Sequence, residues 1–132
     1  MGRITTSVEI ANLLAPEKAI RCNALVDTGA SHLTLPTAWR ERLGELQEFG
    51  TVELEMANQQ LIEGVILAPV RIQMEGFRSI VTEVLFVDME PQDGNYEVLV
   101  GYIVLEQSQA AIDMVGHKLT HVKRLDLKYL RK

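Results

Sequence analysis

Alternation of apolar and polar residues predicts β-strands over most of the chain. Residues 4–14 and 51–56 alternate with a period close to two, which is typical of strands with one buried face. Two short apolar runs, at 24–26 and 98–100, predict buried strands. Short helices are predicted only at 37–44 and just after the second apolar run. The pattern therefore predicts an all-β fold with one or two short helices.

Two hairpins follow from the turn residues. A turn is predicted at 15–18, because Pro16 fixes its own φ and disfavours helical angles at the residue before it. The chain then returns as a strand that ends at Asp27. A longer hairpin is predicted over about residues 51–67, with a polar tip at 57–60.

Size and composition favour one small domain spanning residues 1–132. Hydrophobic residues make up 47% of the chain but aromatic residues only 5%, so we expect an aliphatic core. The net charge of −5 argues against binding to nucleic acid or to an anionic membrane. The single cysteine, Cys22, excludes an intrachain disulfide. No signal-peptide or membrane-spanning pattern is evident, and we expect a cytoplasmic protein.

Positive charge is concentrated at the C-terminal end of the sequence. Residues 118–132 contain six basic residues and one acidic residue, a net charge of +5, so the other 117 residues carry −10. This basic tail is either a solvated terminus or a segment that packs on the acidic body of a second subunit. Leu125, Leu127 and Tyr129 alternate with charged residues, which predicts an edge strand that needs a partner.

Residues 24–31 combine a buried strand, a carboxylate and a glycine turn. The strand Ala24 to Val26 leads directly into Asp27, and Gly29 permits a tight turn with close approach of other groups. A carboxylate held rigidly at the edge of a buried region is suited to general acid or base chemistry. The alternative is an ordinary tight turn in which the aspartate accepts backbone hydrogen bonds.

The sequence Ala-Leu-Val-Asp-Thr-Gly-Ala-Ser at 24–31 resembles the active-site strand of retroviral-type (retropepsin-like) aspartic proteases. A second element, Leu99-Val100-Gly101, is similar to the apolar-apolar-Gly segment that crosses beside that turn in the family. The resemblance implies the acid-protease fold, a closed β-barrel. Ser31 and Tyr102 stand where viral members carry an acidic residue and its arginine partner, which favours the cellular or bacterial branch.

The resemblance also implies roles for individual residues. Asp27 is the catalytic acid and base, Thr28 hydrogen-bonds across a dimer axis, and Gly29 donates its N–H to the carboxylates. Ala30 lines the site, where two-lobed relatives often carry a hydroxyl residue. Because that hydroxyl is absent, we expect the best activity at mildly acidic pH.

The long hairpin corresponds in position to the flap that covers the substrate in this family. Its tip residues Met56, Ala57, Asn58 and Gln59 are the candidates for contact with substrate. Flap tips of the family usually contain glycine. Here Asn58 is the residue expected to adopt left-handed backbone angles.

One catalytic motif per chain implies a homodimer. Hydrolysis by an aspartate pair needs two carboxylates in contact, and this chain has a single Asp-Thr-Gly. A C2 dimer would bring two copies of Asp27 together, and we expect a peptide or protein substrate and no cofactor. The alternative is a catalytically silent dimer that binds peptides. Binding of nucleic acid through the basic tail is a weaker third hypothesis.

No metal site is expected. His117 and His121 are four residues apart and His32 lies near Asp27, but no cysteine or further acidic residue completes a set of ligands. Asp113 ends a predicted strand, and we interpret it as a turn carboxylate.

Overall fold

A computed structural model describes residues 3–55 and 58–122. Strands and two short helices account for most of this part of the chain. The strands are β1 (Thr5–Asn12), β2 (Ala15–Val26), β3 (Leu33–Pro36), β4 (Gln47–Glu55), β5 (Leu61–Met74), β6 (Ser79–Val87), β7 (Val98–Val100), β8 (Ala110–Asp113) and β9 (Lys118–His121). A 3-10 helix, Thr37–Leu43, follows β3, and the α-helix α1, Tyr102–Gln107, follows β7.

The main sheet closes on itself. Its seven strands have the order β1-β2-β7-β3-β6-β5-β4, and β1 also pairs with β5. Six strands therefore form a closed barrel, from which β4 and the first half of β5 extend as a hairpin. The small hairpin β8–β9 is a separate sheet. This architecture confirms the predicted all-β barrel with short helices.

The barrel interior is filled mainly by aliphatic side chains, as the composition predicts. The largest fully buried ones include Ile10, Leu33, Leu35, Ile72 and Phe86. Burial of such side chains is the main favourable term in folding a domain of this size. Because the core lies directly beneath β2, β3 and β7, the loops that leave these strands rest on a rigid base.

The first hairpin turns earlier than predicted. The turn lies at Leu13 and Leu14, and Pro16 belongs to β2. Asn12 explains the difference, because its side-chain oxygen accepts the N–H of Leu14 at 2.9 Å while its amide donates to the carbonyl of Leu43 at 2.8 Å. Residues 16–18 lie where the pairing of β1 with β2 is irregular, and they have no partner in β1. Although proline has no N–H to donate, Pro16 therefore costs the sheet no hydrogen bond.

Both helices occur where they are predicted. The first is a 3-10 helix, Thr37–Leu43, whose N-cap is Pro36 and whose C-cap is Gly44, with a φ of 69°. Gly44 is the residue type that accepts this left-handed angle without strain. The second helix, Tyr102–Gln107, begins directly after Gly101, which is its N-cap.

The long hairpin is formed by β4 and β5, paired from Gln47 with Ala68 to Glu55 with Leu61. It begins before residue 51, and β5 continues past Leu67 into the barrel. Two of the predicted flap residues, Met56 and Ala57, lie outside the described residues.

The C-terminal end is described only as far as residue 122. The edge strand predicted at 125–129 and most of the basic tail therefore lie outside the described residues. Within the described part, no helix combines the length and the hydropathy that crossing a membrane requires.

Candidate active site

Three strands deliver the Asp-Thr-Gly turn to the edge of the barrel. β2 and β7 run parallel, with Leu25 beside Leu99 and Val26 beside Val100, and Leu99 also pairs with Thr34 on β3. These are apolar or β-branched residues, which suit a buried strand. The turn therefore connects β2 to β3 past the end of β7, which lies between them, and it is not the loop of a surface hairpin.

The backbone of the turn is fixed on both sides of Asp27. The N–H of Asp27 donates to the carbonyl of Val100 at 2.9 Å, which extends the β2–β7 ladder by one residue. The N–H of Ala30 donates to the carbonyl of Asp27 at 3.1 Å. The N–H of Gly29 donates to Oδ1 of the Asp27 carboxylate at 2.9 Å. The half-buried carboxylate is thus held in one orientation, next to the exposed residues Thr28 and Gly29.

The second element, Leu99-Val100-Gly101, packs closely against this turn at Gly101. The N–H of Tyr102 donates to the carbonyl of Ala30 at 2.9 Å, and the N–H of Ile103 donates to the carbonyl of Ser31 at 3.0 Å. A side chain at Gly101 would collide with this backbone, since a Cβ there would lie 2.4 Å from the carbonyl carbon of Ser31. Leu99, Val100 and Gly101 are therefore brought to the Asp-Thr-Gly turn, as the sequence predicts.

A cavity of about 440 Å³ opens beside the same strands. Leu25 lines it, and Leu25 lies two residues before Asp27, so both side chains leave β2 on the same face. Tyr96 and the ion pair between Arg3 and Glu97 line it as well. This cavity was not predicted from the sequence. Because side chains two residues apart on a strand share a face, Leu25 could have been predicted to lie on the same side as Asp27.

Tyr96 also connects the loop before β7 to the 3-10 helix. Its ring contacts the ring of Trp39 edge to face, with the centroids 5.7 Å apart. The guanidinium of Arg42 lies 5.0 Å from the centroid of Trp39. Trp39 packs against the core, and through Tyr96 it also anchors the loop that borders the cavity.

The tip of the long hairpin differs from prediction in one backbone angle. Gln59, not Asn58, adopts a positive φ, of 66°. The Asn58 side chain instead accepts the N–H of Gln60 at 2.9 Å, and this local turn places the left-handed residue between them. Asn58 and Gln59 are both exposed.

Ser31, His32 and Glu83 form a chain of two hydrogen bonds that was not predicted from the sequence. Ser31 Oγ lies 2.8 Å from His32 Nδ1, and His32 Nε2 lies 2.7 Å from Glu83 Oε1. Only the proximity of His32 to Asp27 was visible in the sequence.

The remaining candidates are structural. Asp113 Oδ1 accepts the N–H groups of Val115 and Gly116 at 3.1 and 3.0 Å, so it is a turn carboxylate, as interpreted. His121 stacks on Phe77, with ring centroids 4.4 Å apart. Among the described residues no three His, Cys, Asp or Glu side chains cluster in a way that could hold a metal ion.

Cys22 is a half-buried residue that packs against the core, and we expect little reactivity of its thiol at neutral pH. Burial raises the pKa of its thiol from 9.0 to about 11, and the positive charge of Arg42 opposes that rise.

Comparison with known proteins agrees with this geometry. The family model described as aspartyl protease matches residues 8–103, which include the Asp-Thr-Gly turn and the crossing at Gly101. The EIAV protease, solved in complex with the inhibitor HBY-793, is similar to this chain with a TM-score of 0.63 and 25% identity. That match covers 86% of this chain and 94% of the viral one. A search of curated proteins found no match. This chain belongs to the aspartyl protease family, has a retropepsin-like fold, and is an aspartic-type peptidase.

Proposed function

We propose that the protein is a homodimeric aspartic endopeptidase, with residues 1–132 forming one catalytic domain, in which two copies of Asp27 activate a water molecule. The observation that carries this proposal is the position of Asp27. The N–H of Gly29 donates a hydrogen bond to its carboxylate, and the backbone at Gly101 packs directly against its turn. The turn is exposed at Thr28. An ordinary surface turn would not need the second, sterically matched element.

The chemistry requires one proton shared by two carboxyl groups. Like charges in contact do not both ionise, and the resulting titration belongs to the pair, as is established for aspartic proteases. The ionised carboxylate takes a proton from water, and the oxygen of that water attacks the peptide carbonyl carbon. The protonated carboxyl gives its proton to the carbonyl oxygen. Transfer of a proton to the amide nitrogen then accompanies cleavage of the C–N bond.

The dimer follows from the count of motifs. The chain contains one Asp-Thr-Gly, so the second carboxylate has to come from another copy. Thr28 and Gly29 are exposed beside Asp27. A second copy of the chain could therefore contact this face. A two-fold axis through this face would place the two turns against each other.

An extended peptide would lie between the turn and the β4–β5 hairpin, which corresponds in position to the flap of the family. The cavity lined by Leu25, Tyr96 and the Arg3–Glu97 pair would receive a substrate side chain next to the scissile bond. Its apolar wall and its charged rim favour a side chain with an apolar body and a polar end.

The test compares wild type with Asp27→Asn on a diverse peptide pool between pH 4 and pH 7. We expect cleavage by wild type, with its maximum at mildly acidic pH, and none by Asp27→Asn. Asp113→Asn is the matched control, because it makes the same chemical change at a turn carboxylate and should leave cleavage intact. If wild type and Asp27→Asn both bind peptides and neither cleaves them, the protein is the silent binding module instead.

A further inference from the structure

A second cavity lies where the C-terminal end of α1, the turn before β6 and the end of β9 meet. Its volume is about 500 Å³, and it is lined by Arg78, Ser108, Gln109, His121 and Val122. None of these residues lines the cavity beside Asp27 or belongs to the Asp-Thr-Gly turn. Cavities of this size commonly hold small organic molecules. This one is separate from the candidate active site.

Hydrogen bonds connect the three segments that form this cavity. Ser108 is the C-cap of α1, and Gln109 follows it with a φ of 60°. The N–H of Val122 donates to the carbonyl of Gln109 at 2.8 Å, which joins the end of β9 to this corner. From the turn before β6, Arg78 Nη1 donates to the carbonyl of Gln107 at 2.6 Å. The cavity therefore has walls that are tied to one another.

The side chains around the cavity are rich in hydrogen-bond donors. Arg78 has five N–H groups, and within residues 3–55 and 58–122 one of them is used, in the bond to Gln107. The amide of Gln109 has two more, and the His121 ring carries at least one N–H in either protonation state. That ring is held by stacking on Phe77, with the centroids 4.4 Å apart. A ligand with several acceptor oxygens would match these groups.

Ser108 carries a hydroxyl group that the described residues leave without a partner. The residue is 2% exposed, and its Oγ is buried with no hydrogen bond to any of them. Buried polar groups in native proteins rarely lack a partner, because leaving one unpaired costs stability. Ser108 also lines the cavity, so a change to another staggered χ1 rotamer would let the hydroxyl donate to a group bound there.

The charge around the cavity favours an anion. The Arg78 guanidinium is always protonated, and its planar fork matches the oxygens of a carboxylate or a phosphate. Val122 is followed in the sequence by Lys123 and Arg124. The C-terminal end of a helix disfavours an anion, but α1 has only six residues and Arg78 covers the carbonyl of its last residue.

We propose that this cavity binds a small organic molecule through a carboxylate or phosphate group. Arg78 contacts the anionic group with its guanidinium, and Ser108, Gln109 and His121 donate hydrogen bonds to it. Val122 contacts the organic part. The bound molecule connects the end of α1 to the end of β9, so it stabilises the folded protein as its concentration rises. This site goes beyond the proposed protease function and does not depend on it.

An NMR titration of the full protein with three probes locates the site and identifies its chemistry. Benzoate and phenyl phosphate carry different anions on the same ring, and benzamide is the neutral counterpart of benzoate. We expect saturable shifts of the backbone amides of Ser108, Gln109 and Val122 with at least one anion, and none with benzamide. The anion that binds more tightly identifies the group recognised. Equal binding of benzamide, shifts confined to other residues, or no binding of either anion would overturn the proposal.

Variants test the two residues on which the proposal depends most. Arg78→Gln should weaken binding of the preferred anion roughly tenfold or more, as expected for a charge-assisted hydrogen bond. Arg21→Gln is the matched control, because it makes the same change at an exposed arginine on β2 and should bind like wild type. The same NMR spectra report whether each variant is folded. Equal affinities of wild type and both variants would overturn the site.

Ser108→Ala makes a prediction in two directions. It should weaken anion binding roughly threefold to tenfold, because one donor is lost. Without the anion it should be at least as resistant to urea as wild type, because it removes a buried hydroxyl that the described residues leave unpaired. A variant that is less stable and binds the anion normally would show that the hydroxyl has an internal partner, and would overturn its role in binding.

Discussion

Gly101 and Ser31 are in backbone contact across the candidate site. A Cβ on Gly101 would lie 2.4 Å from the carbonyl carbon of Ser31 and 2.6 Å from the carbonyl oxygen of Ala30. Two segments that are 70 residues apart in sequence therefore pack so closely that a side chain at residue 101 has no room. The Asp-Thr-Gly turn can lie this close to residue 101 because glycine has no side chain.

Gly101→Ala should destabilise the fold and abolish peptide cleavage. The added methyl group meets rigid backbone, so we expect a loss of about 2–3 kcal/mol or more in unfolding free energy. Gly64→Ala is the matched control, since its Cβ would meet the flexible end of Leu85 at 2.8 Å and should cost about 1 kcal/mol. Urea unfolding measures both, and equal costs would show that the contact at Gly101 is not decisive.

Thr28→Val should weaken dimerisation. The exposed hydroxyl of Thr28 is the group proposed to hydrogen-bond across the two-fold axis, and valine keeps the shape while removing it. Sedimentation equilibrium should show a higher dissociation constant for Thr28→Val, by roughly tenfold if both symmetric hydrogen bonds are lost. Thr28→Ser keeps the hydroxyl and should remain close to wild type. The same constant in all three proteins would exclude this contact.

Cys22 should make the protein less stable at alkaline pH. Its pKa of about 11 in the folded state lies above the unfolded value of 9.0, so the unfolded chain loses the proton first. The corresponding stability is fully present below pH 9 and is lost as pH rises from 9 to 11. Cys22→Ala should show a flatter fall of unfolding free energy over that interval. Parallel curves would contradict the burial of the thiol.

Glu63→Lys should stabilise the β4–β5 hairpin. Glu53 and Glu63 are directly paired across the hairpin and both are exposed, so like charges face each other. An opposite-charge pair should add about 0.2–1 kcal/mol to the unfolding free energy, with a smaller gain at high salt. The double variant Glu53→Lys, Glu63→Lys restores the repulsion and should lose the gain. If the single and double variants are equally stable, the pair does not interact.

The sequence was sufficient for the features that depend on local chemistry. Asp27 was predicted because a buried apolar run that ends in a carboxylate and a glycine turn holds that carboxylate rigidly, and Gly101 was predicted from the resemblance of Leu99-Val100-Gly101 to the second element of the family. Strand periodicity predicted the all-β class, and the resemblance to retropepsin-like proteases implied the closed barrel.

Features that depend on tertiary contacts could not be predicted. The turn placed at Pro16 was wrong because Asn12 bonds to Leu43, 31 residues away, and so fixes the turn earlier. Glu83 meets His32 only through the register of two parallel strands, which periodicity does not specify.

Mixing active and inactive subunits tests the shared carboxylate pair most directly. Wild type at fixed concentration is mixed and re-equilibrated with increasing Asp27→Asn, and peptide cleavage is measured. If both carboxylates are needed, an equal amount of the variant should reduce activity to about half, and a threefold excess to about one quarter, because mixed dimers are inactive. Activity that stays constant or rises would show that one Asp27 suffices, and would contradict the proposed mechanism.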